Sequence, residues 1–239
     1  MKEETSNPSI LIRNCTIITM DPARRIIRDG AVAIHGGEIT WVGSASEYGS
    51  RKAGRILDGK GGVLMPGLID SHAHAGHGLT KTLGEGGVGI DTAWDDFMER
   101  IYFQGSTPDF WRVEAQLSGL EKLKFGVTTG MSMLGSYPRY DDRAYWEAHV
   151  EGMAEVGIRD ILGVGTPNPP FPKMFRRWNS ETGYSEYRLS HRDSFEKTDE
   201  AVRQFDGMYD GTMRCYPTPS GVGSREGLSV EELVAQNRA

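Results

Sequence analysis

Residues 66–74 have the sequence PGLIDSHAH, and this stretch decides how the chain on either side of it is interpreted. The proline and glycine mark a turn, and Leu68–His74 then has the composition and length of a short strand. Because side chains alternate along a strand, Asp70, His72 and His74 are expected to share one face. The stretch therefore predicts two imidazoles close together at the end of a strand.

Two imidazoles at positions i and i+2 of a strand can both reach one cation. Neutral imidazole binds Zn²⁺, Fe²⁺ and Mn²⁺, and a catalytic site adds further ligands and an open position for water. The metal lowers the pKa of that water, which makes a hydroxide nucleophile available at neutral pH. A His-x-His pair alone is a weak signal, because exposed or helix-capping histidines produce it too. His72 and His74 are the candidate ligands of a divalent metal, with Zn²⁺ expected before Fe²⁺ or Mn²⁺.

Residues 1–66 contain short apolar runs that alternate with turns. The runs are rich in β-branched residues and are bounded by Asp-Pro, Asp-Gly and Gly-Gly turns, which is typical of strands. The predicted strands are Ile10–Ile12, Thr16–Thr19, Ala31–Ile34 and Ile39–Val42. Short strands at this spacing favour a small β-sandwich or a meander.

From residue 67 onward, predicted strands alternate with helices. The strands are Leu68–His74, Val127–Met133, Ile158–Val164 and Met213–Tyr216, and the helices begin near Thr107, Asp142, Ser194 and Ser229. A loop containing several prolines is expected over residues 166–192. This alternation predicts a parallel sheet covered by helices, either half of a (β/α)₈ barrel or an open doubly wound sheet. The last helix stops at Ala239 without a cap or a following strand, so we expect the sequence to be cut there.

Residues 66–74 and the sequence on either side of them resemble the amidohydrolase superfamily of metal-dependent hydrolases, in particular its chlorohydrolase and cytosine-deaminase-like branch. The resemblance is carried by VLMPGLIDSHAH at 63–74, TIITMDP at 16–22, DGAV at 29–32, GEITWVG at 37–43 and GVTT at 126–129. It implies an α/β fold with a partial (β/α)₈ TIM-like barrel, its first four βα units, preceded by a small N-terminal β-sandwich segment. Residues 1–66 are then the N-terminal part of the sandwich domain, and residues 67–239 are the first half of the barrel.

The resemblance also implies an activity. Members hydrolyse non-peptide C–N bonds, and occasionally C–Cl bonds, with metal-activated water. We expect deamination of a cyclic amidine or a related nitrogen heterocycle, with His72 and His74 as the first two metal ligands. The family draws two more histidines from barrel strands five and six and an aspartate from strand eight, so the general acid and base are expected beyond Ala239. A catalytically incomplete fragment, which binds metal weakly or pairs with a partner, is the second hypothesis.

The fourth barrel strand bears on the branch of the family. Binuclear members carry a carboxylated lysine on this strand, whereas Met213–Pro217 contains no lysine. The sequence therefore favours the mononuclear, deaminase-like branch. A dihydropyrimidinase-like or imidazolonepropionase-like cyclic amide hydrolase stays as the alternative.

Loops at the carboxyl ends of barrel strands supply further candidates. His77 and Trp94 follow the histidine pair and are predicted to bind substrate, with an ordinary loop histidine and core packing as the alternatives. Residues 84–89 match G-x-G-x-x-G, but they do not lead from a strand into a helix. We interpret them as a loop over the substrate rather than a dinucleotide site. His149 lies within a predicted helix and is interpreted as structural.

Composition narrows the possible classes of protein. The chain has 239 residues, of which 38% are hydrophobic, and a formal net charge of −6. No basic run indicates nucleic-acid binding, no apolar run is long enough for a membrane span, and the polar N-terminus lacks the pattern of a signal peptide. Two distant cysteines argue for a reducing compartment. We expect a cytoplasmic protein with a small-molecule partner, and the resemblance implies a homo-oligomer at full length.

Overall fold

The computed structural model describes residues 7–81, 99–134, 142–165 and 171–218. Contacts between Cα atoms divide the chain into two compact units, residues 1–67 and 68–239. The elements of the first unit are β1 (Ile10–Ile18), β2 (Ile26–His35), β3 (Glu38–Ser44), the short helix α1 (Ala45–Tyr48), β4 (Arg55–Asp58) and β5 (Val63–Leu64).

The described strands of the first unit form a single sheet of order β3-β2-β1-β4, with β5 also paired to β1. The first three strands are antiparallel neighbours, which is the meander that the sequence predicted, and β4 and β5 run parallel to β1. In β2, four consecutive residues from Gly30 to Ala33 are buried. The buried apolar residues form two clusters, one with Leu11, Ala31, Ala33 and Tyr48 and the other with Cys15, Ile17 and Val32.

Strand β1 corrects one prediction. The runs Ile10–Ile12 and Thr16–Thr19 were expected to be separate strands, because polar residues stand between them. They are parts of one strand whose pairing with β2 shifts register between Arg13 and Ile17. Asn14 has φ 58° at this point, a conformation that asparagine tolerates better than most residues. The polar residues therefore mark a bulge within a strand rather than a turn between two.

The second unit contains the predicted alternation of strands and helices. In chain order its elements are β6 (Leu68–His74), a π-helix (Glu99–Gly105), α2 (Pro108–Lys124), β7 (Val127–Met133), α3 (Arg143–Val156), β8 (Arg159–Val164), β9 (Lys173–Asn179), β10 (Gly183–Leu189), α4 (His191–Phe205), the short helix α5 (Met208–Gly211) and β11 (Met213–Pro217). Strands β6, β7, β8 and β11 form one parallel sheet in that order.

This strand order bears on the architecture. A doubly wound sheet reverses its strand order at a switch point, and the four described strands contain no such reversal. Each strand instead lies beside the one before it, as in a barrel. The order thus favours the barrel over the doubly wound alternative.

The helices begin and end where local chemistry dictates. Thr107 caps α2 by accepting a hydrogen bond from the Phe110 amide at 3.3 Å, and a proline occupies the first turn. Asp142 caps α3, which ends at Gly157 in the left-handed conformation with φ 80°. The buried faces of these helices pack on the sheet, and the core includes Trp111, Ala115, Trp146, Val150, Met153, Leu162 and Val164.

A β-hairpin replaces part of the loop predicted over residues 166–192. Strands β9 and β10 pair in antiparallel register, with Lys173 opposite Leu189 and Asn179 opposite Gly183. The turn is built by Asn179, whose side-chain oxygen accepts from the amides of Glu181 and Thr182 at 2.8 and 3.1 Å. Exposed and half-buried residues alternate along β9, so the hairpin follows the period of two typical of strands.

Some predictions fall outside the described residues. They are the glycine-rich loop at 84–89, Trp94 and the helix expected from Ser229. Among the residues that are described, no helix is long and apolar enough to cross a membrane.

Candidate metal and substrate site

Strand β6 carries the predicted histidine pair at its carboxyl end. Within the described sheet β6 is an edge strand that pairs with β7 alone. Both His72 and His74 are exposed, and their rings lie side by side with centroids 5.0 Å apart and planes at 80°. The structure therefore brings the two predicted ligands together, at the strand end where barrel enzymes carry their sites.

Asp70 lies two residues before His72 on the same strand. The pairing of β6 with β7 shifts register between Asp70 and Ala73. The Asp70 carboxylate lies 3.2 Å from Lys122 Nζ of α2 and accepts a hydrogen bond from the backbone amide of His72 at 3.3 Å. Lys122 also lines the pocket to which His74 contributes, so an ion pair with α2 connects Asp70 to the same region. That Asp70 shares one face with both histidines stays a prediction.

His77, which was predicted to bind substrate, lies beside the histidine pair. Its ring stacks on that of His74 with a centroid distance of 5.6 Å and an interplanar angle of 18°. On its other side it stacks on Tyr102 of the π-helix at 6.2 Å. The phenol of Tyr102 is within 3.0 Å of the Thr80 hydroxyl. A row of three histidines and a tyrosine thus extends from the end of β6 along the loop that follows it.

Burial and neighbouring charges adjust the acidity of this row. Burial lowers the pKa of His74, and the positive charges of His77 and His72 lower it further. Burial also lowers the pKa of His77, although the carboxylate of Glu114 opposes this shift. A lowered pKa favours the neutral imidazole, which is the form that binds a metal.

A pocket of about 420 Å³ opens between β6, the loop after it and α2. His74 and His77 contribute to its wall, together with the charged side chains of Lys81, Glu114 and Lys122. Its remaining lining is largely apolar. The pocket therefore places the histidines beside charged groups of α2.

A group of polar side chains, most of them buried, extends from the wall of this pocket into the interior. We call Glu114, Ser118, Ser132, His149 and Asp160 the buried polar cluster. Glu114 Oε2 lies 3.9 Å from His149 Nδ1, and His149 Nε2 lies 3.6 Å from Asp160 Oδ2. The Ser132 hydroxyl donates to Asp160 at 3.0 Å, and the Ser118 hydroxyl donates to Glu114 at 2.7 Å. The cluster joins α2, α3, β7 and β8, so His149 is confined in the interior, as its position in a helix indicated.

The donor set for a metal is incomplete in the described residues. Two exposed imidazoles with neighbouring rings and a lowered pKa at His74 suit a cation that prefers nitrogen ligands. Among the residues that the structure describes, however, no group of three or more His, Cys, Asp or Glu side chains is placed to hold a metal.

Two residues that border this region, Tyr102 and Glu114, were not predicted from the sequence. No motif marks Tyr102, which lies in a short π-helix, an element that sequence patterns rarely reveal but that is frequent at functional sites. Glu114 lies on the face of α2 that is buried with Trp111 and Ala115, whereas the apolar Val113 and Leu120 of the same helix are exposed, so apolar spacing does not reveal this face. A carboxylate in such a position needs partners in the interior.

Comparisons with known proteins find similar sequences among deaminases and hydrolases. No protein-family model matches it. It is similar to the 5'-deoxyadenosine deaminase of Methanosarcina acetivorans, with 27% identity over 207 residues that cover 86% of this chain and 40% of the relative. Its homologues are deaminases and hydrolases of the amidohydrolase superfamily, which confirms the resemblance found in the sequence.

Solved structures give the same result for the fold. The chain is similar to triazine hydrolase from Arthrobacter aurescens, with a TM-score of 0.71, 25% identity, and coverage of 91% of this chain and 47% of that one. It also resembles the atrazine chlorohydrolase of Arthrobacter aurescens TC1 solved with zinc, with a TM-score of 0.66, 24% identity, and coverage of 89% and 47%. The fold is a mixed α/β fold with a parallel sheet, consistent with part of the TIM-like amidohydrolase fold. The chain spans less than half the length of these proteins.

Proposed function

We propose that the protein to which this chain belongs is a metal-dependent aminohydrolase of a nitrogen heterocycle. In the reaction, water adds to the ring carbon that bears an amino group, the C–N bond breaks, and ammonia leaves. Adenine nucleosides are the first substrates to test, because the relatives include a 5'-deoxyadenosine deaminase. Triazines are the second, because the similar structures include a triazine hydrolase.

The observation that carries the proposal is the position of His72 and His74. Their rings are neighbours, 5.0 Å apart, at the carboxyl end of the first strand of a parallel sheet whose strand order follows the chain. This is where a barrel enzyme places catalytic groups. Histidines buried for packing or used as helix caps would not be paired and exposed at this place.

A divalent metal fits the two imidazoles, and we propose Zn²⁺, which one similar chlorohydrolase contains. When bound, it supplies an activated water for the attack. His72 and His74 would hold it, with further ligands and the general acid and base from residues beyond Ala239. The absence of lysine from β11 (Met213–Pro217) favours a mononuclear site.

His77 and Tyr102 are proposed to bind the substrate. Their rings stack at 6.2 Å and continue the row that begins at the metal ligands. Flat aromatic faces suit a flat heterocycle, since offset and tilted stacking both contribute to binding. Trp94, predicted to act with His77, lies outside the described residues and stays a prediction.

The domain organisation, the oligomeric state and the cellular location are proposals as well. The sheet of residues 10–64 is proposed to be part of a β-sandwich domain, which residues 1–66 begin. Residues 67–239 are then the first half of the barrel. A homo-oligomeric, cytoplasmic protein without nucleic-acid or membrane partners is the organisation we expect.

The test uses purified full-length protein, its metal content and ammonia release from 5'-deoxyadenosine. We expect about one zinc per chain in the wild-type protein. The double variant His72→Ala, His74→Ala is expected to lose the metal and to lose activity by at least about a thousandfold, because the activated water goes with it. His35→Ala, which removes an exposed histidine from β2, is the matched control and is expected to keep both.

Two results would contradict the proposal. One is wild-type protein that binds no divalent metal at stoichiometric level. The other is a double variant that retains its metal and its aminohydrolase activity. Either would favour the hypothesis of a catalytically incomplete binding protein.

A further inference from the structure

The buried polar cluster lies directly beneath the loop that carries His77. The backbone amide of Gly78, the residue after His77, donates to Glu114 Oε1 at 3.2 Å. The same oxygen accepts from the Ser118 hydroxyl at 2.7 Å. Glu114, a residue of helix α2, thus connects this helix with the loop after β6.

The second carboxylate oxygen of Glu114 faces the interior. Glu114, His149 and Asp160 have side-chain exposures of 1%, 0% and 3%. Glu114 Oε2 and both ring nitrogens of His149 are buried without a hydrogen-bond partner. They face one another and Asp160 at 3.6 and 3.9 Å, slightly beyond the usual limit of about 3.2 Å for such bonds. The side chains of Glu114, His149 and Asp160 thus follow one another from the Gly78 amide into the interior.

Energetics argue that this cluster has a role besides stability. The burial of ionisable groups is energetically costly, and well-packed apolar residues at the same positions would avoid this cost. The cluster occupies a place between α2, α3 and the sheet where Trp111, Ala115 and Met153 are fully buried. Apolar residues there would pack equally well, but they would leave the Gly78 amide without an acceptor.

We propose that Glu114 is a positioning residue for the substrate-binding loop. It holds residues 75–81, and with them His77, against helix α2, while the His149–Asp160 pair fixes the orientation of the Glu114 carboxylate. His149 therefore acts on the loop although it does not touch it. The inference rests on the proposed function only in assigning His77 to the substrate.

Hydrogen exchange at the Gly78 amide, measured by NMR on metal-free protein, tests the proposal without activity. Glu114→Ala removes the acceptor, so exchange at Gly78 is expected to accelerate at least about tenfold relative to amides of β8. Glu114→Gln keeps a neutral oxygen of the same shape, which accepts more weakly than a carboxylate. We expect an increase of about threefold for this conservative variant.

His149→Phe tests the connection through the interior and decides the case if Glu114→Ala does not fold. It keeps Glu114 but removes the group that faces its second oxygen. We expect Gly78 exchange to accelerate several-fold while the amides of β8 keep their protection. Glu155→Ala, an exposed carboxylate of α3 that binds Arg112 and Gln116, is the matched control and is expected to leave Gly78 unchanged.

The outcomes separate this proposal from a merely structural role and from the proposed function. Unchanged exchange at Gly78 in the Glu114 and His149 variants overturns the positioning role. So does an acceleration equal to that of the β8 amides, which indicates general destabilisation. In the full-length enzyme, Glu114→Gln is expected to raise KM several-fold with little change in kcat. A wild-type protein without aminohydrolase activity would contradict the proposed function, but the hydrogen-exchange result would still test the positioning role of Glu114.

Discussion

Tyr102 is a buried phenol at the end of the histidine row, and its ionisation reports on that environment. Its exposure is 1%, and burial raises its pKa to about 12, although the hydrogen bond with Thr80 lowers it in part. A phenol in the unfolded chain ionises near pH 10. The stability that Tyr102 contributes is therefore fully present below about pH 10 and is lost as the pH rises towards 12.

The destabilising effect of Tyr102→Phe is expected to shrink as the pH rises above 10. At pH 8 the variant should be less stable by about 1 kcal/mol, because the Thr80 hydroxyl loses its partner. Between pH 10 and 12 the wild type loses stability that the variant keeps, by up to about 1.4 kcal/mol per pH unit. Urea unfolding at pH 8 and pH 10.5 measures the difference. A gap that stays constant over this range would show that Tyr102 ionises equally in both states.

At the residue scale, the sequence predicted what local spacing determines. His72 and His74 are two residues apart on one strand, and their pairing follows from the period of the strand. The register shift between Asp70 and Ala73 was not predicted, because it depends on the partner strand β7, which a local pattern does not contain. The partnership of Glu114 with Gly78 spans 36 residues, so only the folded chain shows it.

At the scale of secondary-structure elements, the residues that cap a helix determine where it begins, and helix α4 allows this to be tested. Ser190 accepts from the Asp193 amide at 3.1 Å, and its own amide donates to the Asp193 carboxylate at 3.0 Å. Ser190→Ala removes the first of these bonds and is expected to lower the free energy of unfolding by about 1 kcal/mol. Urea denaturation measures the loss. Ser185→Ala, on the exposed face of β10, is the control, and an equal loss in both variants would contradict a capping role.

The hairpin and the bulge show why some elements escaped prediction. Prolines at 167–172 suggested a loop that continued to Arg192, although Lys173–Asn179 already alternates in burial. The alternation was hard to recognise because arginine and asparagine occupy positions where strands usually carry apolar residues. In β1 a single strand was predicted as two, because two polar residues interrupt its apolar pattern. Pairing with β2 and β4 keeps these residues within one strand.

At the scale of the whole molecule, β6 has unpaired backbone groups along one side within the described sheet. Nearby side chains are apolar and exposed, with Ile69 at 72% and Phe125 at 82%. An open strand edge beside apolar surface promotes pairing with other chains. We expect the 239-residue chain, expressed alone, to self-associate at micromolar concentration.

A lysine at this edge should reduce that association. Ile69→Lys is expected to raise the monomer fraction several-fold, because a charged side chain on an edge strand opposes pairing. Size-exclusion chromatography with light scattering measures the fraction. Met20→Lys, at an exposed turn of the first unit, is the matched control. Equal gains in both variants would mean that net charge, rather than the β6 edge, controls association.

The order of the parallel sheet has a consequence for the route by which the protein forms. Strand β7 pairs with β6, β8 with β7 and β11 with β8, yet the paired residues are far apart in sequence, with Leu68 opposite Val127 and Asp160 opposite Met213. Parallel pairing across such long segments forms slowly, and chains emerge from the ribosome amino end first. The histidine-bearing strand is therefore made before any strand of its sheet, and it has to wait for β7 until its first neighbour is present.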